Sequence, residues 1–213
     1  MIKAILFDFW GTVVENGTYS PLRQSYDILR PRMAFGQFVQ LFEKAFMTSA
    51  FKEQAEGFQA VCDAFGVQPK PFIIEKLIGT WNKNRMFAKL YPETIPVLGE
   101  LKKKYKLALV SNCDSFTPQV VERLELDKFF DCMMFSFEIG KLKTDPELYA
   151  ATLKKLGVKK NEALVVGDSL ETDVAGANAA GISAVLVDRN GKREFDKKIQ
   201  TIKELPVFLE GLK

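Results

Sequence analysis

Apolar residues in this chain fall into two kinds of run. Five runs are short, unbroken and rich in Ile, Leu, Val and Phe: Ala4–Phe7, Leu107–Val110, Met133–Phe135, Leu164–Val166 and Ala184–Val187. That length and continuity predict strands buried on both faces, as in a parallel sheet. Other apolar residues recur every three or four positions and predict helices over Pro92–Lys104, Thr117–Leu126, Pro146–Leu156 and Thr172–Ala180. Strands alternating with crossover-length helices imply an α/β fold, a doubly wound Rossmann-like parallel sheet with its ligands at the carboxyl ends of the strands. Asp8, Ser111 and Asp168 each fall just past such a strand. One mouth thus gathers three polar residues that are distant in sequence.

The interval between the first and second strands is too long for a single crossover. Ser20-Pro21 reads as a helix N-cap followed by its first helical residue. Gly36–Met47 then places Phe38, Leu41, Phe42 and Phe46 on one face, and Phe58–Phe65 and Phe72–Lys83 follow. This predicts an all-helical cap inserted into the core, entered near Tyr19 and left near Leu90–Pro92. The core domain then comprises residues 1–18 and 92–213, and the cap residues 19–91. Gly17 and Leu90–Pro92 are candidate hinges for a closing cap. The Phe stripes predict helix packing, and Arg23, Lys52, Trp81, Asn82 and Arg85 are the cap side chains considered for facing a substrate.

Composition narrows the chemistry. With 213 residues, 47% of them hydrophobic and 27% charged, the chain can build one large domain or a domain plus an insertion. A net charge of +3 gives no basis for a nucleic-acid partner. No apolar run approaches the ~20 residues of a spanning helix, so no membrane partner is expected. Cys62, Cys113 and Cys132 are odd in number and widely spaced, which predicts reduced thiols and a cytoplasmic protein. Histidine is absent, which excludes a His base, Ser-His catalysis and His-ligated zinc. Any metal should be a hard cation held by oxygens. Nothing in the sequence sets an oligomeric state.

Four local patterns line up in order. They are Asp8-Phe9-Trp10-Gly11-Thr12; Leu109-Val110-Ser111-Asn112; the stretch from Ser136 to Pro146 containing Lys143; and Gly167-Asp168 with Asp173, followed by Gly176-Ala177. Together they resemble the haloacid dehalogenase superfamily of aspartyl-nucleophile hydrolases, and the inserted cap is similar to its first-subfamily arrangement. The resemblance covers essentially the whole chain. It implies Asp8 as nucleophile, with Ser111 and Lys143 completing the catalytic set.

The physical roles fit those residue types. A phosphoryl group carries charge on three oxygens, so its site must supply cations and donors. Lys143 offers a point charge, Ser111 and Thr12 offer hydroxyls, and the loop at Asn112 offers a backbone amide. Asp8, Asp168 and Asp173 would crowd three carboxylates around one spot, which calls for a divalent cation such as Mg²⁺. The expected partner is a small phosphorylated substrate. Gly11 and Gly167 read as backbone-geometry residues, Asp145-Pro146 as a helix N-cap with proline, and Asp114 as a surface loop acid.

Position 10 departs from the pattern. The phosphatases this chain resembles carry Asp there, to protonate the leaving alcohol and later activate water. Trp10 cannot do this, because an indole N–H is a donor only. The resemblance also gives that residue's backbone carbonyl to the metal, and Trp10 retains one. Slow turnover of alkyl phosphates and faster turnover of aryl or acyl phosphates follow as an expectation. The superfamily's dehalogenases also lack the second Asp, carry Tyr and use no metal, which makes 2-haloacid cleavage the alternative, with Arg23 considered as its carboxylate clamp. The intact Gly167-Asp168 and Asp173 argue for the phosphatase type. A phospho-ligand-binding protein with weak catalysis is the third reading.

Overall fold

A computed structural model describes residues 1–211 apart from 16, 18 and 19. The predicted chain entry at Tyr19 and the 18/19 boundary therefore lie outside the described residues. Strands β1 (Ala4–Phe7), β2 (Lys106–Ser111), β3 (Cys132–Phe135), β4 (Ala163–Gly167), β5 (Ser183–Val187) and β6 (Lys198–Ile199) form a parallel sheet in the order β3-β2-β1-β4-β5-β6. The five apolar runs are all strands. The sixth, two residues long at the sheet edge, is too short to leave an apolar pattern.

Alternation along β1 divides the core. Ile5 and Phe7 join one apolar layer with Leu107, Leu109 and Val166; Ala4 and Leu6 join the other with Ala108, Val110 and Val165. Helices α5 (Thr94–Leu101), α6 (Pro118–Arg123), α7 (Ser136–Ile139), α8 (Pro146–Leu156), α9 (Ala175–Ala180) and α10 (Leu205–Glu210) complete the core. The predicted helix over Thr117–Leu126 is shorter because Glu125 takes a left-handed φ of 53°. Asp145 caps α8 as expected, accepting from the Glu147 amide at 3.0 Å.

Helices α1 (Pro21–Leu29), α2 (Phe35–Met47), α3 (Gln54–Ala64) and α4 (Pro71–Met86) fill the interval between β1 and β2. They enclose a separate apolar centre. Phe38, Phe42, Phe46 and Phe58 are fully buried there, and Trp81 stacks on Phe42 at 5.4 Å with its indole N–H donating to Ser25. The predicted Phe stripes are thus packing residues, each burial worth about 1.5–3 kcal/mol. Two connections join cap to core side by side: Val14 bridges Leu90, and the Glu15 amide donates to Lys89 O at 2.9 Å. No helix among the described residues is long and apolar enough to cross a membrane. Cys62, Cys113 and Cys132 are free and buried.

Candidate active site

The three central strands end close together, β2 running two residues and β4 one residue past the end of β1. Phe7 pairs with Leu109 on one side and Val166 on the other, and the Asp8 amide continues the ladder to Val166 O at 2.9 Å. Asp8 therefore leaves the sheet between Ser111 and Asp168, buried to 8% exposure. Its Oδ1 accepts a hydrogen bond from Lys143 Nζ, and its Oδ2 accepts from the Thr12 hydroxyl at 3.1 Å. Lys143 Nζ also donates to Asp173 Oδ1 at 2.7 Å. Oxygens of Asp8, Asp168 and Asp173 all lie within 4.8 Å of one another. Ser111 is buried at the end of β2.

Charge in this cluster is unbalanced. Burial pushes the Asp8 carboxyl up to about 8; Lys143 opposes this, while Asp173 and Asp168 add repulsion. Burial works against the Lys143 ammonium too, but Asp173 and Asp8 outweigh it and hold the proton firmly. One ammonium offsets one of three carboxylates, and a phosphate would add further negative charge. The Tyr149 hydroxyl, buried within electrostatic reach of Asp173, Lys143 and Asp8, has no hydrogen-bond partner among the described residues. An all-oxygen donor set with surplus negative charge fits Mg²⁺.

The loops around the cluster are built for close approach. Gly11 takes φ 79°, the left-handed turn that returns the chain after Asp8. A Cβ on Gly167 would lie 2.2 Å from the Asp173 carboxylate, and one on Gly176 would lie 2.1 Å from Lys143 O. Glycine at both positions lets the fourth pattern close on the third. The predicted helix over Thr172–Ala180 instead begins as a π turn at Leu170–Val174, which widens the backbone where Asp173 must face inward. Ser169 caps that turn, accepting from the Thr172 amide at 3.1 Å, while its own amide donates to Asp173 Oδ2 at 3.0 Å.

A family model for haloacid dehalogenase-like hydrolases matches residues 2–181. The chain belongs to this family. It is 27% identical to the glyceraldehyde 3-phosphate phosphatase of Methanopyrus kandleri over 93% of this chain and 89% of that protein. Among solved structures, a HAD phosphatase from Thermococcus onnurineus superposes with a TM-score of 0.67 at 26% identity, covering 99% of each chain. A 2-haloacid dehalogenase from Pseudomonas syringae superposes with a TM-score of 0.69 at 22% identity, covering all of both chains, which shows the shared fold alone.

This hydrolase uses several residues that its sequence patterns do not announce. Arg189, after β5, donates to the carbonyls of Gly11 and Thr12 at 3.1 and 2.9 Å, pairs with Glu93 and lies over the Tyr91 ring. Arg193 donates to the Asp168 carbonyl. Two arginines from one segment thus fix both Asp-bearing loops. Asp114 is corrected: it is buried, not a surface acid, and pairs with Arg85 of α4 at 2.9 Å, tying cap to core. Its carboxylate also accepts from the Phe116 amide and the Thr117 hydroxyl. Arg85 and Trp81 are therefore engaged elsewhere. Arg23 lies over the Phe35 ring at 3.7 Å, and Asn82, exposed, accepts from Arg85.

Glu43 is another residue the sequence patterns do not announce. It sits on α2 and accepts from Asn112 Nδ2 at 3.1 Å, while Asn112 Oδ1 accepts from the Lys143 amide at 2.8 Å. Both ends of the Asn112 side chain are engaged. Burial raises the Glu43 carboxyl to about 7 against the hydrogen bond from Asn112 and the attraction of Lys143. A signal existed: Glu43 falls on the helical stripe of Val39, Phe46 and Met47, where a carboxylate has no packing reason to be.

Proposed function

We propose that this hydrolase is a Mg²⁺-dependent phosphatase of a small phosphomonoester, with Asp8 carrying the phosphoryl group as an aspartyl-phosphate. The observation that carries this reading is the Lys143 ammonium fixed between Asp8 and Asp173, beside Asp168. Held by Lys143 on one oxygen and Thr12 on the other, the Asp8 carboxylate is oriented before substrate arrives. In the attack a carboxylate oxygen bonds to phosphorus and the bond to the alcohol oxygen breaks. Lys143, the Ser111 hydroxyl, Thr12 and the Asn112 amide receive the phosphoryl oxygens. Mg²⁺ held by Asp8, Asp168, Asp173 and the Trp10 carbonyl would supply the positive charge this cluster lacks and keep Asp8 ionised.

Relatives named as phosphatases of small sugar-related phosphates support the substrate class. Asp168 and Asp173 beside the nucleophile disfavour a haloacid, whose own carboxylate they would repel, and Arg23 is stacked within the cap. In this reading residues 19–91 form a mobile cap on a core of 1–18 and 92–213, hinged where segments 13–15 and 89–91 run together. The free, buried cysteines support a cytoplasmic setting. The test is phosphate release from p-nitrophenyl phosphate and a sugar phosphate, with Mg²⁺ and in EDTA. Release that needs Mg²⁺ is expected. Equal release in EDTA, halide release from 2-chloropropionate in metal-free buffer, or tight binding of the sugar phosphate without turnover contradicts it.

A further inference from the structure

The alcohol of an alkyl phosphate leaves as an alkoxide unless something protonates its oxygen, and the mouth holds few groups able to do so. The Trp10 indole is not acidic enough. Lys143 is held ionised between two carboxylates. Asp8 is spent on attack, Asp168 and Asp173 belong to the cation site, and the hydroxyls of Ser111, Thr12 and Tyr149 ionise far too high. Glu138 on α7 and Glu171 in the π turn are exposed. Glu43 alone of the carboxyls described at this mouth comes from the cap, and it is half-buried.

Resting on the phosphatase reading, we propose that Glu43 is the proton carrier of this reaction, placed on the cap instead of the core. Its carboxylic acid protonates the alcohol oxygen as the phosphorus–oxygen bond breaks, giving free alcohol, aspartyl-phosphate and the Glu43 carboxylate. A water then attacks phosphorus, Glu43 takes that water's proton, and the bond to Asp8 breaks to release inorganic phosphate. Glu43 ends protonated and Asp8 ionised, so the cycle closes without another reactant. The groups facing Glu43 are Asn112 from the loop after β2, Lys143 from the loop after α7 and Asp173 from the π turn; Lys44, next on its own helix, is exposed. A carboxyl raised to about 7 is suited to giving and taking a proton near neutrality. Because Glu43 rides on α2, closing the cap also completes the catalytic set. Alkyl phosphates then turn over at ordinary rates despite Trp10, which replaces the expectation of slow turnover.

Glu43→Gln tests this, since a glutamine keeps an acceptor for Asn112 but carries no proton. Wild type and variant are compared on glycerol phosphate and on p-nitrophenyl phosphate, whose phenolate leaves unaided. The expected result is a fall in kcat for glycerol phosphate of about 10²-fold or more with KM little changed, while the first-turnover burst of p-nitrophenolate stays within about threefold. Adding Trp10→Asp to the variant is expected to restore part of the lost turnover. The proposal is overturned if glycerol phosphate turnover stays within about twofold of wild type, or if the burst falls as far as alkyl turnover does, which marks a structural role. Release of no phosphate by wild type from either substrate overturns the phosphatase reading itself.

Discussion

In the cap, the buried centre is made of rings: Phe38, Phe42, Phe46, Phe58 and Trp81, with one hydrogen bond from the indole to Ser25. At the sheet mouth, buried side chains are ionic: Asp8 and Asp173 on either side of Lys143. Rings are satisfied by shape, so the cap gains stability from nearly every residue it buries. Buried charges cost stability unless fully paired, and here carboxylates outnumber the ammonium. The core accepts that cost at the ends of strands whose backbone is already fixed, whereas the buried Asp114 is paired with Arg85. From α2, beside that ring-filled centre, the Glu43 carboxyl reaches the core and accepts from Asn112.

The comparison breaks first at Asp8. Asp8→Asn should cut kcat by about 10⁴-fold or more while the protein stays folded, measured by phosphate release alongside circular dichroism. If Asp8 were a loop residue, activity would survive. Phe46→Ala probes the opposite region: a loss of about 3–5 kcal/mol by chemical denaturation is expected, since its ring touches Phe42, Phe58 and Trp81. Turnover per folded molecule should change far less than in Asp8→Asn. Gly176→Ala should do both, costing about 1–3 kcal/mol because the added carbon collides with Lys143 O and displaces the ammonium. Full activity in a stably folded Gly176→Ala protein would show that the close approach is not needed.

The smallest effect concerns Glu43 and pH. Burial raises its carboxyl from 4.5 to about 7 in the folded protein, so the folded state keeps this proton to higher pH than the unfolded chain. Its contribution to stability is complete below about pH 4.5 and is lost as pH rises through 7. Denaturation midpoints should therefore show Glu43→Gln gaining on wild type across that window. A constant difference between them would place Glu43 in ordinary solvent.

The core's strands and the residues at their ends were legible because unbroken apolar runs and their terminal Asp and Ser are local signals. The cap's helices were legible for the same reason, from aromatic spacing. Contacts between regions were not. Asp114 looked like a loop acid because Arg85, its partner, lies 29 residues upstream on another element. Arg189 reaches Thr12 across 177 residues, which no periodicity reports. The π turn at Leu170–Val174 follows from seating Asp173 against Gly167, a tertiary demand that overrides the helical pattern. Glu43 left a trace, a carboxylate on an apolar stripe, but its meaning needed Asn112 opposite.

The central claim is that the ionic cluster at the strand ends performs covalent catalysis through Asp8. Acid-quenching the protein during turnover of p-nitrophenyl phosphate, then mapping its peptides by mass spectrometry, tests this most directly. A phosphoryl group on the peptide containing Asp8, formed with Mg²⁺ and absent in EDTA and in Asp8→Asn, is the result predicted. Steady phosphate release with no adduct on that peptide, even when Glu43→Gln slows the second step, would contradict it.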